Sequence, residues 1–118
     1  MDDTSPTQRT FCVTLQMPDG VCDITVSAGQ HIWDAAAVAG ILLPSICHQG
    51  RCLTCAGQLT APGKFDQNDA DQYFPQDRAA GFILLCTASP LSDLRIRTHA
   101  QDDMRRHRIE RGLSAPYS

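Results

Sequence analysis

The stretch Cys47-His48-Gln49-Gly50-Arg51-Cys52-Leu53-Thr54-Cys55 places four residues between its first two thiols and two between the next pair. A further cysteine, Cys86, follows after 30 intervening residues. Three thiols in this register with one distant partner have the C-x₄-C-x₂-C…C spacing of a [2Fe–2S] ligand set. A Cys₄ zinc site is also allowed by the ligand count. Structural zinc sites, however, usually pair one C-x₂-C with a second, and Cys86 stands alone.

A [2Fe–2S] core held by four thiolates is an anion, and reduction adds one more negative charge. A loop can carry such a charge by turning backbone N–H groups toward the sulfurs. Close approach of backbone calls for small side chains, and Gly50, Ala56 and Gly57 stand beside the second and third thiols. Cys86 ends a nearly continuous apolar run, Gly81 to Thr87, so a rigid strand is expected to present the fourth ligand.

The 118 residues suit one domain with a modest core. Net charge is −3, unevenly spread. Residues 1–104 hold twelve Asp against six Lys and Arg, whereas residues 105–118 hold four Arg against one Glu. An acidic body points away from nucleic acid. The polar first ten residues lack the apolar segment of a signal peptide. No apolar run approaches the ~20 residues needed to span a bilayer. A soluble chain in a reducing compartment is therefore expected, its six cysteines serving a cluster rather than a disulfide scaffold.

Along the chain, residues 1–9 read as a flexible end. Phe11, Val13 and Leu15 alternate with polar positions, as do Cys22, Ile24 and Val26, around the turn signal Pro18-Asp19-Gly20. This predicts a β-hairpin. Its register keeps Cys12 and Cys22 apart, with Cys22 in the core and Cys12 more exposed. Trp33 to Ala39 predicts a helix with Trp33, Ala36, Ala37 and Ile41 inward, stopped at Gly40. Ala56 to Thr60 predicts a short strand, and Asp69 to Phe74 a short helix. The Gly81–Thr87 run predicts a central strand, and Leu94, Ile96 and Thr98 a last strand with one wet face. Thr98-His99-Ala100-Gln101 has the form of a capping box opening a helix that stops near Gly112. The order predicts an α+β mixed sheet crossed by one helix.

Over residues 10–104 the chain resembles plant- and cyanobacterial-type [2Fe–2S] ferredoxins. The resemblance rests on Pro18-Asp19-Gly20, Asp34-Ala35-Ala36, Gly40-Ile41, Leu43-Pro44, the cysteine loop with Ala56-Gly57, Asp66-Gln67, Leu85-Cys86 and Thr98-His99. It implies a β-grasp fold and one-electron transfer at a potential of about −400 mV. It also implies that Cys47 and Cys52 hold the more exposed iron and Cys55 and Cys86 the inner one. Adrenodoxin-type ferredoxins are less similar, their first spacing being one residue longer. With the resemblance come redox protein partners: a donor such as photosystem I or a reductase, and a dedicated acceptor. A monomer is expected, in the cytoplasm or, after removal of a transit peptide, in the plastid stroma. The rival reading is a redox-sensing or structural module whose cluster or zinc merely holds the fold. No nucleophile–base pair or substrate motif stands out, so an enzyme is not expected.

Ile46, Arg51 and Leu53 depart from the family's usual small residues around the ligands. A cation near the cluster favours the reduced state, whereas apolar surroundings disfavour added charge. A net rise in potential is expected, with His48 a further candidate for tuning. The acidic stretch by which such ferredoxins meet partners is thinned here to Pro75-Gln76-Asp77-Arg78, with Tyr73 and Phe74 beside it. Gln101, followed by Asp102 and Asp103, matches a Glu that docks ferredoxin–NADP reductase, so weak coupling to that enzyme is expected. Residues 105–118 extend beyond ordinary members, as in the C-terminally extended ferredoxins of oxygenic phototrophs. Arg105, Arg106 and Arg108 are candidates to dock a partner; alternatively this segment packs on its own acidic body.

Overall fold

The computed structural model describes residues 9–43, 53–70 and 73–113. Strands β1 (Thr10–Met17) and β2 (Gly20–Ser27) form the expected hairpin, with Met17 opposite Gly20 and Thr10 opposite Ser27. Alternation places Val13, Leu15, Ile24 and Val26 in the core. Cys12 is exposed opposite Thr25, and Cys22 faces Leu15, so the two do not pair. Cys22 lies only half-buried at the margin of the core, because the hairpin runs out past it toward the turn.

Helix α1 (Ile32–Val38) begins one residue earlier than its alanines suggest. That shift makes Ile32, Ala35 and Ala36 the buried face, leaving Trp33, Ala37 and Ile41 half-buried. Trp33 spends its indole N–H on the Leu43 carbonyl at 2.8 Å. Gly40, at φ +85°, ends the helix, and Ile41 N–H returns to the Ala36 carbonyl at 2.8 Å.

Strands β3 (Ala56–Leu59), β5 (Phe82–Leu84) and β7 (Leu94–Arg97) complete a five-stranded sheet in the order β2-β1-β7-β3-β5. The pair β1–β7 is parallel and the others are antiparallel. With α1 crossing this mixed sheet, the chain has the α+β, β-grasp arrangement.

The apolar run is not central: β5 is an edge strand, and the alternating β7 lies in the middle. Apolar residues on both sides of a strand report that both faces are covered, not that both edges are paired. Ile83 and Leu85 enter the main core, with Val13, Leu15 and Ile96. Phe82 and Leu84 point the other way, into a second apolar cluster with Met104 and Ala100. Arg95 on β7 is exposed, as alternation predicts.

A two-stranded sheet, β4 (Phe65–Asp66) with β6 (Ser89–Pro90), has no counterpart in the elements expected from the sequence. The short helix predicted at Asp69–Phe74 is instead α2 (Pro75–Ala79), with Pro75 at its first turn, where a missing N–H costs nothing. Helix α3 (Gln101–Glu110) runs across residue 104 into the basic segment and ends before Gly112 at φ +71°. The predicted capping box does not form. Ala100 occupies the N-cap without a side-chain bond, and the Thr98 hydroxyl pairs with His99 Nδ1 at 2.7 Å. His99 takes a left-handed φ of 58°, turning the chain from β7 so that Ala100 N–H reaches the Ala56 carbonyl at 3.0 Å.

Candidate metal centre

Cys55 directly precedes β3 and Cys86 follows β5 by two residues. The two strands pair with Ala56 opposite Leu84, and Leu85 N–H extends the ladder to the Cys55 carbonyl at 3.2 Å. The pairing therefore carries the two cysteines to the same end of the sheet. Cys55 Sγ and Cys86 Sγ lie 3.0 Å apart, and both residues are buried. Metal–thiolate bonds of about 2.3 Å would let one ion bridge that gap.

Cys86 sits in a turn, not on the strand. Ala88 N–H closes this turn on the Leu84 carbonyl at 3.0 Å. Two neighbours hold it. The first N–H groups of α1 bond its carbonyls, Ile32 to Ala88 and Trp33 to Leu85, each at 2.9 Å. Buried Gln67 takes Leu84 N–H on Oε1 at 2.9 Å and donates Nε2 to the Leu84 carbonyl at 3.1 Å and Thr87 Oγ1 at 2.9 Å. One side chain thus bonds both backbone groups of Leu84, two residues before Cys86. Asp66-Gln67 was legible as a point of likeness, but its clamping role needs the fold.

The donor set fits an iron–sulfur cluster. Two opposed thiols lie within an apolar shell of Leu53, Ala56, Leu84 and Phe82. Thr54 Oγ1, between Leu53 and Cys55, is buried with no hydrogen-bond partner among the described residues, leaving a hydroxyl donor for a sulfur acceptor. Ala56 is buried, its carbonyl engaged by Ala100. Gly57 has a different reason from the one expected. A Cβ there would lie 2.7 Å from Ile96 Cγ2 and 3.2 Å from the Arg97 carbonyl, so close approach of β7 requires the glycine. Ile46, Cys47, His48, Gly50, Arg51 and Cys52 lie outside the described residues.

The docking candidates divide. Arg108 is corrected: it is fully buried, with Nη2 2.9 Å from Asp77 Oδ2 and its guanidinium 4.7 Å from the Phe74 ring. A cation with no exposed surface meets no partner protein. Its partner on α2 is 31 residues away, so nothing local marked it. Tyr73 is half-buried, packs edge-on to Phe65 and donates its hydroxyl to the Phe82 carbonyl. Burial raises its pKa well above the ordinary phenol value, partly opposed by Arg78. Gln101 is half-buried, and Asp103 pairs with Arg97 at 2.8 Å and lies 3.7 Å from Arg106. Asp102 and Arg106 are exposed, and Arg105 partly so.

Residues 17–91 match the family of 2Fe-2S iron-sulfur cluster binding domains. The chain belongs to this family. Ferredoxin-2 of Synechococcus sp. is 41% identical over 80 residues, covering 68% of this chain and 75% of that one. A vegetative ferredoxin of Trichormus variabilis is 35% identical over 94 residues, covering 78% and 94%. Among solved structures, pectocin M2 superposes with a TM-score of 0.68 at 27% identity, over 80% of this chain and 34% of that one. An Amycolatopsis cytochrome P450 reductase, GcoB, gives 0.65 at 32% identity, over 77% and 26%. The chain thus spans about a third or less of these two longer chains.

As a ferredoxin, the protein binds a [2Fe–2S] cluster and carries electrons, and it acts with redox protein partners. This favours the carrier over the sensing or structural reading. Among the described residues no helix is long and apolar enough to cross a membrane.

Proposed function

We propose that Cys47, Cys52, Cys55 and Cys86 hold the cluster, Cys55 and Cys86 on the inner iron and Cys47 and Cys52 on the outer. The single observation that carries this reading is the buried apposition of Cys55 and Cys86 at the end of the β3–β5 ladder. The bound cluster supplies the one-electron chemistry. The chain's own residues fix the thiols, wall them from water and present a surface to partners, with no reaction of their own.

The reading extends to a ferredoxin of the C-terminally extended kind, serving a narrow partner set at a potential above that of photosynthetic ferredoxins. Arg51 beside a ligand supports the shift in potential. Diversion of Asp103 to Arg97, and Gln101 at a position where acidity aids docking, support weak coupling to ferredoxin–NADP reductase. The electron enters from photosystem I or a reductase and leaves to a dedicated acceptor, in a cyanobacterial-type cytoplasm or a plastid stroma.

Visible absorption and EPR of the reduced protein test the cluster, with Cys86→Ser expected to lose or alter the signal. An unchanged signal in that variant refutes the ligand assignment. Voltammetry tests the potential, and a value at or below that of photosynthetic ferredoxins sinks the predicted shift. Reduction kinetics with ferredoxin–NADP reductase equal to those of an ordinary ferredoxin would refute the partner restriction.

A further inference from the structure

Helix α3 is fastened to the ligand-bearing strands at three levels of one face. At its start, Ala100 N–H bonds the Ala56 carbonyl at 3.0 Å, one residue from Cys55. One turn on, Met104 is fully buried in the apolar cluster that contains Leu53, Cys55, Leu84 and Cys86. A further turn on, His107 lies against Phe82 at 5.2 Å between centroids, and Arg108 locks onto Asp77. Positions 100, 104 and 107–108 make one helical stripe, in which Ala100, Met104 and Arg108 are buried and His107 is largely covered.

We infer that α3 is the inner wall of the cluster site, and that Met104 is a positioning residue that keeps the Cys55–Cys86 side dry and thereby sets the cluster's potential. This rests on the assignment of Cys55 and Cys86 as ligands. Reduction adds negative charge, which an apolar wall resists and a polar, hydrated one accommodates. Met104 is uncharged and flexible enough to fill irregular gaps in the apolar cluster that holds both thiols. Arg108 and Asp77 carry opposite charges at contact distance, so their joint field is small. Their part is to hold the wall shut.

The test uses the full-length, cluster-loaded protein with Met104→Leu, Met104→Gln and the double variant Asp77→Asn/Arg108→Gln. Protein-film voltammetry gives the potential, and bleaching under a strong iron chelator gives the rate of cluster loss. Met104→Leu keeps the wall apolar and leaves the potential unchanged. Met104→Gln shifts it upward and speeds cluster loss at least about tenfold, because the opening that exposes the thiols becomes easier. The double variant, with its lock weakened, also speeds loss and shifts the potential upward. A fully loaded Met104→Gln protein with unchanged or lowered potential overturns the inference. If Met104→Gln does not fold, unchanged potential and cluster loss in the double variant overturn it equally. Failure of the ligand assignment shows separately, as an unaltered EPR signal in Cys86→Ser.

Discussion

Arg108 Nη2 meets Asp77 Oδ2 at 2.9 Å, with both side chains fully buried. Arg108 Nε adds contacts to both carboxylate oxygens, at 3.2 and 3.1 Å. The same carboxylate accepts Phe74 N–H at 2.9 Å, and His107 Nε2 lies 3.3 Å away. One acid thus joins the first turn of α2 to the last turn of α3. Removing either partner strands a buried charge. Arg108→Ala is expected to cost about 3–5 kcal/mol in stability. Asp77→Leu with Arg108→Met should recover part of that loss, since a matched apolar pair carries no desolvation cost but leaves Phe74 N–H without its acceptor. Thermal unfolding of both variants decides; equal destabilisation by the single and the double change contradicts the account.

Gln67 serves Leu84 through both its amide atoms. Gln67→Leu keeps the bulk and removes all three hydrogen bonds, leaving Leu84 N–H unpaired in the core while the Leu84 carbonyl keeps Ala88 N–H. A loss of about 1–3 kcal/mol is expected for the one group left unsatisfied. The turn bearing Cys86 should loosen with it, so cluster bleaching accelerates. Urea unfolding at wild-type stability would refute this.

Gly57→Ala tests the close approach of β3 to β7. The new methyl meets Ile96 Cγ2, which sits on a branched, buried side chain with little freedom to yield. Overpacking of this kind costs about 1–3 kcal/mol. Ile96→Ala in the same background should relieve part of the clash, which a double-mutant cycle measures.

Tyr73 sets a limit on alkaline stability. Its pKa is raised in the folded protein, chiefly by burial. Below about pH 10 the phenol is neutral in both folded and unfolded chains. Above that pH the unfolded chain loses the proton and the folded one keeps it, so stability falls as pH rises. Tyr73→Phe should flatten this decline while lowering stability at neutral pH through loss of the hydroxyl bond to Phe82. An alkaline slope identical in the variant excludes Tyr73 as its source.

Elements whose cause is local were legible. Alternation around Pro18-Asp19-Gly20 marked the hairpin, and Gly40 and Gly112 marked helix ends through their positive φ. Where several partners competed for one side chain, local reading failed. Thr98 had the spacing of a capping residue, but its hydroxyl lies against His99 at the end of β7. Trp33, placed inward, does pack against both apolar clusters, half-buried and with its indole N–H on the Leu43 carbonyl. Gly57 was taken for a loop requirement and proved to be a strand-packing one.

The sequence alone marked a [2Fe–2S] site, because the identity and spacing of its cysteines are covalent facts of the chain. The tertiary structure decided how Cys55 and Cys86 meet, through a ladder that pairs Ala56 with Leu84. It also decided that the apolar run is an edge strand, covered on both faces by different parts of the chain. The fate of the basic segment was decided there too. Arg108 reads as a docking cation until Asp77, distant in sequence, is brought beside it. Burial of a charge depends on a partner that only the folded chain supplies.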